Sequence, residues 1–164
     1  MSDLTGASVL AKTSPALPVD WYFDPNIYQL ELRLLFEAGP GYVGHELMVP
    51  AQGDYHVLDW LHDGGKMLVR NEAGIELMSN VCRHRQAQML KGRGTAKNIV
   101  CPFHRWTYDL EGQLMGAPQF PNNPCLHLGK KTLQGWNGLL FEGKRDVVAD
   151  LSKMILMARV DESD

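Results

Sequence analysis

Two short stretches constrain this chain more than anything else in it. Cys82-Arg83-His84 is followed by a sixteen-residue spacer and then by Cys101-Pro102-Phe103-His104. Each stretch offers one thiolate and one imidazole. A two-iron, two-sulfide cluster with mixed ligation needs that donor set, two sulfurs for one iron and two nitrogens for the other. A loop carrying one donor of each kind reaches both irons, so two such loops clamp a cluster between them. The spacer contains Gly92 and Gly94 and ends in the strand-like run Asn98-Ile99-Val100. It can leave the first loop, cross a sheet and return with the second.

Three other readings of the same residues stand beside this one. Buried cysteines and hydrogen-bonded histidines are ordinary core residues, although two tight pairs are an unusual way to place them. A Cys2His2 zinc site is the stronger rival, but the single residue inside Cys82-Arg83-His84 is tight for one tetrahedral ion. A nucleophilic cysteine would use one Cys–His pair and leave the other idle. A further Cys-x-His, Cys125-Leu126-His127, has no cysteine or histidine after it. It is read as a packed thiol and a surface or hydrogen-bonded histidine.

Three cysteines, an odd number, argue against a disulfide framework. The first twenty residues have neither the basic start nor the apolar run of a secretory signal. No apolar segment approaches the roughly 20 residues that cross a bilayer. The chain is therefore expected to be soluble and cytoplasmic. Its net charge of −3 speaks against a general nucleic-acid binder. That charge is unevenly spread. Arg83, Arg85, Lys91, Arg93, Lys97 and Arg105 surround the paired motifs with no acidic residue among them, while the rest of the chain carries ten basic against 19 acidic residues.

Residues 1–20 read as a flexible leader. Asp24-Pro25 looks like a helix start, and Ile27, Leu30, Leu34 and Leu35 follow at helical spacing until Gly39-Pro40-Gly41. This helix, Asp24–Ala38, is expected to lay its apolar face on the main domain. Strand signals follow at Tyr55–Trp60, Met67–Arg70, Ile75–Ser79, Asn98–Cys101, Trp106–Asp109, Gln113–Met115 and Leu139–Phe141. Asp63-Gly64-Gly65, Asn71-Glu72-Ala73-Gly74 and Leu110-Glu111-Gly112 read as tight turns between them. Many short strands of this kind build an antiparallel sandwich or small barrel. Val147–Val160 has the pattern of a terminal helix with weak caps.

The run NVCRHRQAQMLKGRGTAKNIVCPFHRWTYDLEGQLMGAP resembles the Rieske region of ring-hydroxylating oxygenase large (alpha) subunits. That family has Cys-x-His, a spacer of this order, Cys-Pro-aromatic-His and then Trp-x-Tyr-Asp-x-x-Gly. LPVDWYFDPNIYQLELRLLF, GYVGHELMVPAQGDY and LVRNEAG resemble the helix and strands before the motif, and TLQGWNGLLFEG the segment after it. In all, about residues 17–143 carry the likeness. Two positions depart from the pattern: Arg105 stands where glycine usually follows the second histidine, and Gln86 where glycine is common.

The resemblance implies a mainly β fold: an antiparallel Rieske-type sandwich or barrel with a small cluster-binding subdomain and one N-terminal helix. The chain is expected to divide into a leader (1–20), an N-terminal helical segment (21–41), a Rieske domain (42–143) and a tail (144–164) that could begin a catalytic domain not contained in these residues. The resemblance implies a [2Fe-2S] cluster held by Cys82 and Cys101 on one iron and His84 and His104 on the other, with the histidines near the surface. It implies a potential in the lower part of the roughly −150 to +300 mV Rieske range. A reductase or ferredoxin would donate electrons, and an oxygenase catalytic domain or subunit would accept them. That domain's mononuclear Fe(II) normally sits on two histidines and a carboxylate. No histidine follows His127, and His45, His56 and His62 are scattered, so these 164 residues are not expected to turn over a substrate alone. The alternatives are a freestanding Rieske ferredoxin and, more remotely, a zinc-stabilised binding module. The basic residues could raise the potential or dock an acidic donor; equally, they could be a solvated loop.

Overall fold

A computed structural model describes residues 17–37, 39–59 and 65–160. Residues 1–16 of the leader, Trp60, His62 and most of the Asp63-Gly64-Gly65 turn lie outside the described residues. Contacts divide the chain into two units, residues 1–39 and 40–164.

In the first unit a 3-10 turn, Val19–Tyr22, precedes α1, Pro25–Glu31. Asp24 caps α1 as its sequence suggests, its Oδ1 accepting from the Asn26 amide at 2.8 Å, with Pro25 opening the first turn. The expected helix then departs from α geometry. Leu32–Glu37 forms a π-helical turn, whose i→i+5 ladder is a backbone feature that an apolar spacing over so few residues does not reveal.

The second unit is built from eleven short strands, all paired antiparallel among the described residues. β1 (Gly41–His45), β10 (Leu133–Trp136) and β11 (Leu139–Glu142) form one sheet, in the order β1-β11-β10. β2 (Asp54–Val57), β3 (Lys66–Asn71), β4 (Gly74–Ser79), β5 (Arg93–Thr95) and β9 (Lys130–Lys131) form a second, in the order β5-β2-β3-β4-β9. β6 (Ile99–Val100), β7 (Thr107–Tyr108) and β8 (Leu114–Gly116) form the third. α2, Val147–Val160, ends the described chain.

Period-two alternation places the middle sheet between two cores. Met67 and Met78 face each other across β3 and β4, and so do Leu68 and Leu77 one residue along, so the two pairs point to opposite faces. Leu68 and Leu77 join Val43, Val49, Leu58 and Leu140 against the β1-β11-β10 sheet. Met67 and Met78 join Val57, Val69, Met89, Ile99, Trp106, Tyr108 and both Cys82 and Cys101 on the other side. The motif loops are thus rooted in a core and supported from beneath by a five-stranded sheet.

Turn chemistry fixes the registers. Asn71 Oδ1 accepts from the amides of Ala73 and Gly74, closing the β3–β4 hairpin. Asp109 Oδ1 accepts from Glu111 at 3.0 Å and Gln113 at 2.7 Å, and Gly112 turns the chain at φ +77. A Cβ at Gly112 would stand 3.2 Å from Leu128 Cβ, so both the dihedral and the space there call for glycine. β1, β5, β9 and β10 are not anticipated by alternation. β5 and β9 have two or three mostly exposed residues, β1 and β10 each carry an interior glycine (Gly44, Gly135) that breaks the alternation, and all four are set by their pairing partners.

Candidate metal centre

The two motifs sit at the tips of two hairpins. The first is closed at its base by Asn80. Its buried side-chain amide donates to the Leu90 carbonyl and accepts from the Leu90 amide, each at 2.9 Å. A Val81–Gln88 bridge continues the ladder upward. The second hairpin is β6–β7, with Val100 opposite Thr107.

The tips repeat one another. The Cys82 amide donates to Ala87 O at 2.9 Å, and the Cys101 amide to Trp106 O at 2.8 Å. Four residues after each cysteine an amide donates back to its carbonyl: Gln86 to Cys82 O at 3.0 Å, and Arg105 to Cys101 O at 3.1 Å. Both returning residues are left-handed, Gln86 at φ 56 and Arg105 at φ 59. These are the positions where the family pattern has glycine. The turn that bends each loop back under its cysteine sets that conformation, and a side chain there costs roughly 1 kcal/mol.

Cys82, His84, Cys101 and His104 all line one cavity of about 550 Å³, with Arg85, Lys91 and Phe103 at its margin. The thiols are buried, at 1% and 2% exposure, whereas both imidazoles are only partly covered. The His84 and His104 rings stand edge to face with centroids 4.7 Å apart. His84 Nδ1 is buried and has no hydrogen-bond partner, the condition of an atom whose ligand is a metal. Among the described residues, no three His, Cys, Asp or Glu side chains gather closely enough to hold a single ion. Two sulfurs and two nitrogens spread around one cavity fit a body wider than one ion. The donor set therefore suits a two-iron cluster better than one tetrahedral zinc.

The second hairpin also braces the first. Trp106, 1% exposed, stacks on His84 with centroids 5.0 Å apart and planes within 9°, and Phe120 closes edge-on against both rings. Tyr108 Oη accepts from the Arg83 amide at 3.1 Å and lies 3.6 Å from Cys82 Sγ. Neither contact follows from the sequence alone. The Trp-x-Tyr run was visible, but alternation alone does not reveal that its aromatics cross to the other loop.

Electrostatics follow the packing. Burial, then the nearby His104 and Arg85 charges, hold the His84 imidazole below its ordinary pKa. Burial and the Cys82 thiol push the Tyr108 hydroxyl well above the ordinary phenol range, so it stays protonated. Arg83, Arg85, Lys91, Arg93, Lys97 and Arg105 are all exposed. None of them takes part in the three ion pairs among the described residues, Lys66–Glu142, Lys130–Glu76 and Arg145–Asp150.

The remaining candidates fall elsewhere. Cys125 is exposed rather than packed, because the 121–127 segment runs over the surface with few apolar partners. His127 is exposed and hydrogen-bonded, its Nδ1 accepting from the Leu114 amide at 3.0 Å. His45 caps the turn after β1, accepting from the Leu47 amide at 3.1 Å. None of these lines the cavity. No helix among the described residues is long and apolar enough to cross a membrane.

Known proteins resemble this chain in sequence and fold. Residues 41–135 match the Rieske [2Fe-2S] domain. A putrescine 2-hydroxylase of Ralstonia nicotianae is 60% identical over 94% of this chain and 42% of its own length. The glycine betaine monooxygenase oxygenase subunit of Chromohalobacter salexigens is 38% identical over 63% of this chain and 24% of its own. Among solved structures, a naphthalene 1,2-dioxygenase variant bound to phenanthrene aligns with a TM-score of 0.63 at 25% identity, covering 79% of this chain and 32% of that one. The apo form of a quaternary ammonium Rieske monooxygenase aligns at 0.64 with 23% identity, over 82% and 42%. The chain spans about two-fifths of the length of the putrescine 2-hydroxylases it matches.

Proposed function

The chain belongs to the Rieske [2Fe-2S] family, and from that membership we propose that it relays single electrons to a mononuclear iron that hydroxylates a small amine. In this reading Cys82 and Cys101 bind one iron and His84 and His104 the other. When bound, a cluster of this type takes up and gives back one electron at a time. The observation that carries the assignment is the convergence of all four side chains on one cavity, two from each of two matched hairpins.

The protein's own groups account for the rest. The thiols lie on the core side and the imidazoles on the open side, so electrons would enter and leave past His84 and His104. Trp106 fixes one ring plane, and the Tyr108 hydroxyl holds the first loop against Cys82. Arg85 and Lys91 at the cavity rim favour added negative charge. The electron source would be a reductase or ferredoxin, and the acceptor the catalytic domain of an oxygenase alpha subunit.

The amine substrate rests on the 60% identity to a protein named for putrescine hydroxylation, extending over 94% of this chain. The test is the full-length gene product that contains this chain, supplied with reductase, NADH and oxygen. Consumption of one NADH and one O2 per hydroxyl group placed on putrescine is the expected result. Turnover of salicylate or benzene with no product from putrescine would overturn the amine reading and leave the electron relay intact.

A further inference from the structure

We infer that the Trp106 indole N–H donates a hydrogen bond to a sulfide of the cluster, making Trp106 a second side-chain donor beside the Tyr108 hydroxyl. This rests on the electron-relay reading above. At the site, two ring nitrogens are buried without a hydrogen-bond partner, His84 Nδ1 and Trp106 Nε1. In that reading the first offers its lone pair to iron. The second has only a proton to offer, since an indole nitrogen donates and does not accept. Trp106 is 1% exposed, so solvent outside the fold does not reach it. A buried donor left without an acceptor costs as much as a lost hydrogen bond, and a native fold supplies the partner.

The ladder places the indole on the face that carries the cysteines. The Cys101 amide donates to the Trp106 carbonyl at 2.8 Å, one pair beyond Val100 and Thr107 on β6 and β7. Cys101 and Trp106 therefore stand opposite one another, with their side chains on one face. Tyr108, two residues further along, projects the same way, and its Oη lies 3.6 Å from Cys82 Sγ. From beside Cys101 the indole reaches across to the other loop and stacks on His84. The core it joins is built of aliphatic, aromatic and sulfur-bearing side chains, and none of them accepts from Nε1. The acceptor that remains is the anionic sulfide held between the two loops. A hydrogen bond to a charged acceptor is stronger than one to a neutral group, and it favours the more negative, reduced cluster.

The test compares the native chain with Trp106→Phe, which keeps an aromatic ring and removes the donor. A second variant carries 3-benzothienylalanine at position 106, a ring of matching shape in which sulfur replaces the N–H. All three are purified without oxygen and matched for iron and sulfide; where Trp106→Phe holds less cluster, the benzothienyl chain decides. Proton electron–nuclear double resonance of the dithionite-reduced cluster, in H2O and in D2O, reads the exchangeable protons coupled to it. The native chain is expected to show an exchangeable coupling that both variants lack. Protein-film voltammetry should show the reduction equilibrium fall roughly fivefold to tenfold in both, about 40–60 mV at about 59 mV per tenfold. A ring that serves packing alone gives native couplings and a native potential with the benzothienyl side chain, and that result would overturn the inference. A native chain without the cluster spectrum would instead overturn the electron-relay reading.

Discussion

The Trp106 indole lies parallel to the His84 imidazole, with ring centroids 5.0 Å apart and planes within 9° of each other. The two residues come from different hairpins, so the contact ties one loop to the other. Trp106 is also part of the core beneath both cysteines. Replacing it with leucine should lower stability by about 2–4 kcal/mol, while phenylalanine should cost about half as much and keep part of the stack. Denaturant unfolding measures the loss. The EPR lines of the reduced cluster should broaden for leucine and sharpen again for phenylalanine.

The ligand assignment separates cleanly by residue. His84→Ala or His104→Ala should abolish the Rieske-type spectrum. Cys125→Ser should leave it unchanged, because Cys125 is exposed and lines no part of the cavity. Loss of the cluster in the Cys125 variant would contradict the assignment. Visible absorption and iron content of purified variants decide the matter.

Tyr108 offers a test of tuning without loss of ligands. Its hydroxyl stays protonated and reaches Cys82 Sγ at 3.6 Å, so it stabilises negative charge on that sulfur. Tyr108→Phe removes that donor and leaves the Arg83 amide without its acceptor. The potential should fall by about 50 mV, the equivalent of about 1 kcal/mol for a one-electron couple. Protein-film voltammetry reads it directly, and an unchanged potential would mean the hydroxyl serves only the loop.

Asp54 links β2 to β5 and should make stability depend on acid. The Thr95 hydroxyl, bonded at 2.6 Å, and then the Ala51 amide hold its carboxyl below the usual carboxylate pKa. A depressed carboxylate stabilises the fold fully above its unfolded pKa of about 3.9 and loses that contribution as pH falls through the lower folded value. Asp54→Asn should therefore lower the thermal midpoint slightly at pH 7 and have little effect near pH 2. A thermal melt series across that range checks the sign.

Much of the site was legible in the sequence because covalent spacing carries it. A Cys-x-His and a Cys-x-x-His each fix two donors on one short loop, whatever the surrounding fold. The helix start at Asp24-Pro25 and the turns at Asn71–Gly74 and Leu110–Gly112 were legible because cap and turn chemistry acts over a few residues; that Asp109 closes the second turn emerged only with the fold. What escaped were relations between distant segments. The stacking of Trp106 on His84 and the reach of Tyr108 to Cys82 depend on how two hairpins meet. Strands such as Lys130–Lys131 have no pattern of their own and exist through pairing with β4. The departures at Gln86 and Arg105 were visible as residues, but their left-handed backbone emerged only with the fold.

The central claim is that Cys82, His84, Cys101 and His104 hold a two-iron cluster. Iron, zinc and acid-labile sulfide in protein purified without oxygen, with a visible spectrum before and after dithionite, test it most directly. Two irons and two sulfides per chain in a red-brown sample that bleaches on reduction are expected. One zinc, no sulfide and a colourless sample would contradict it.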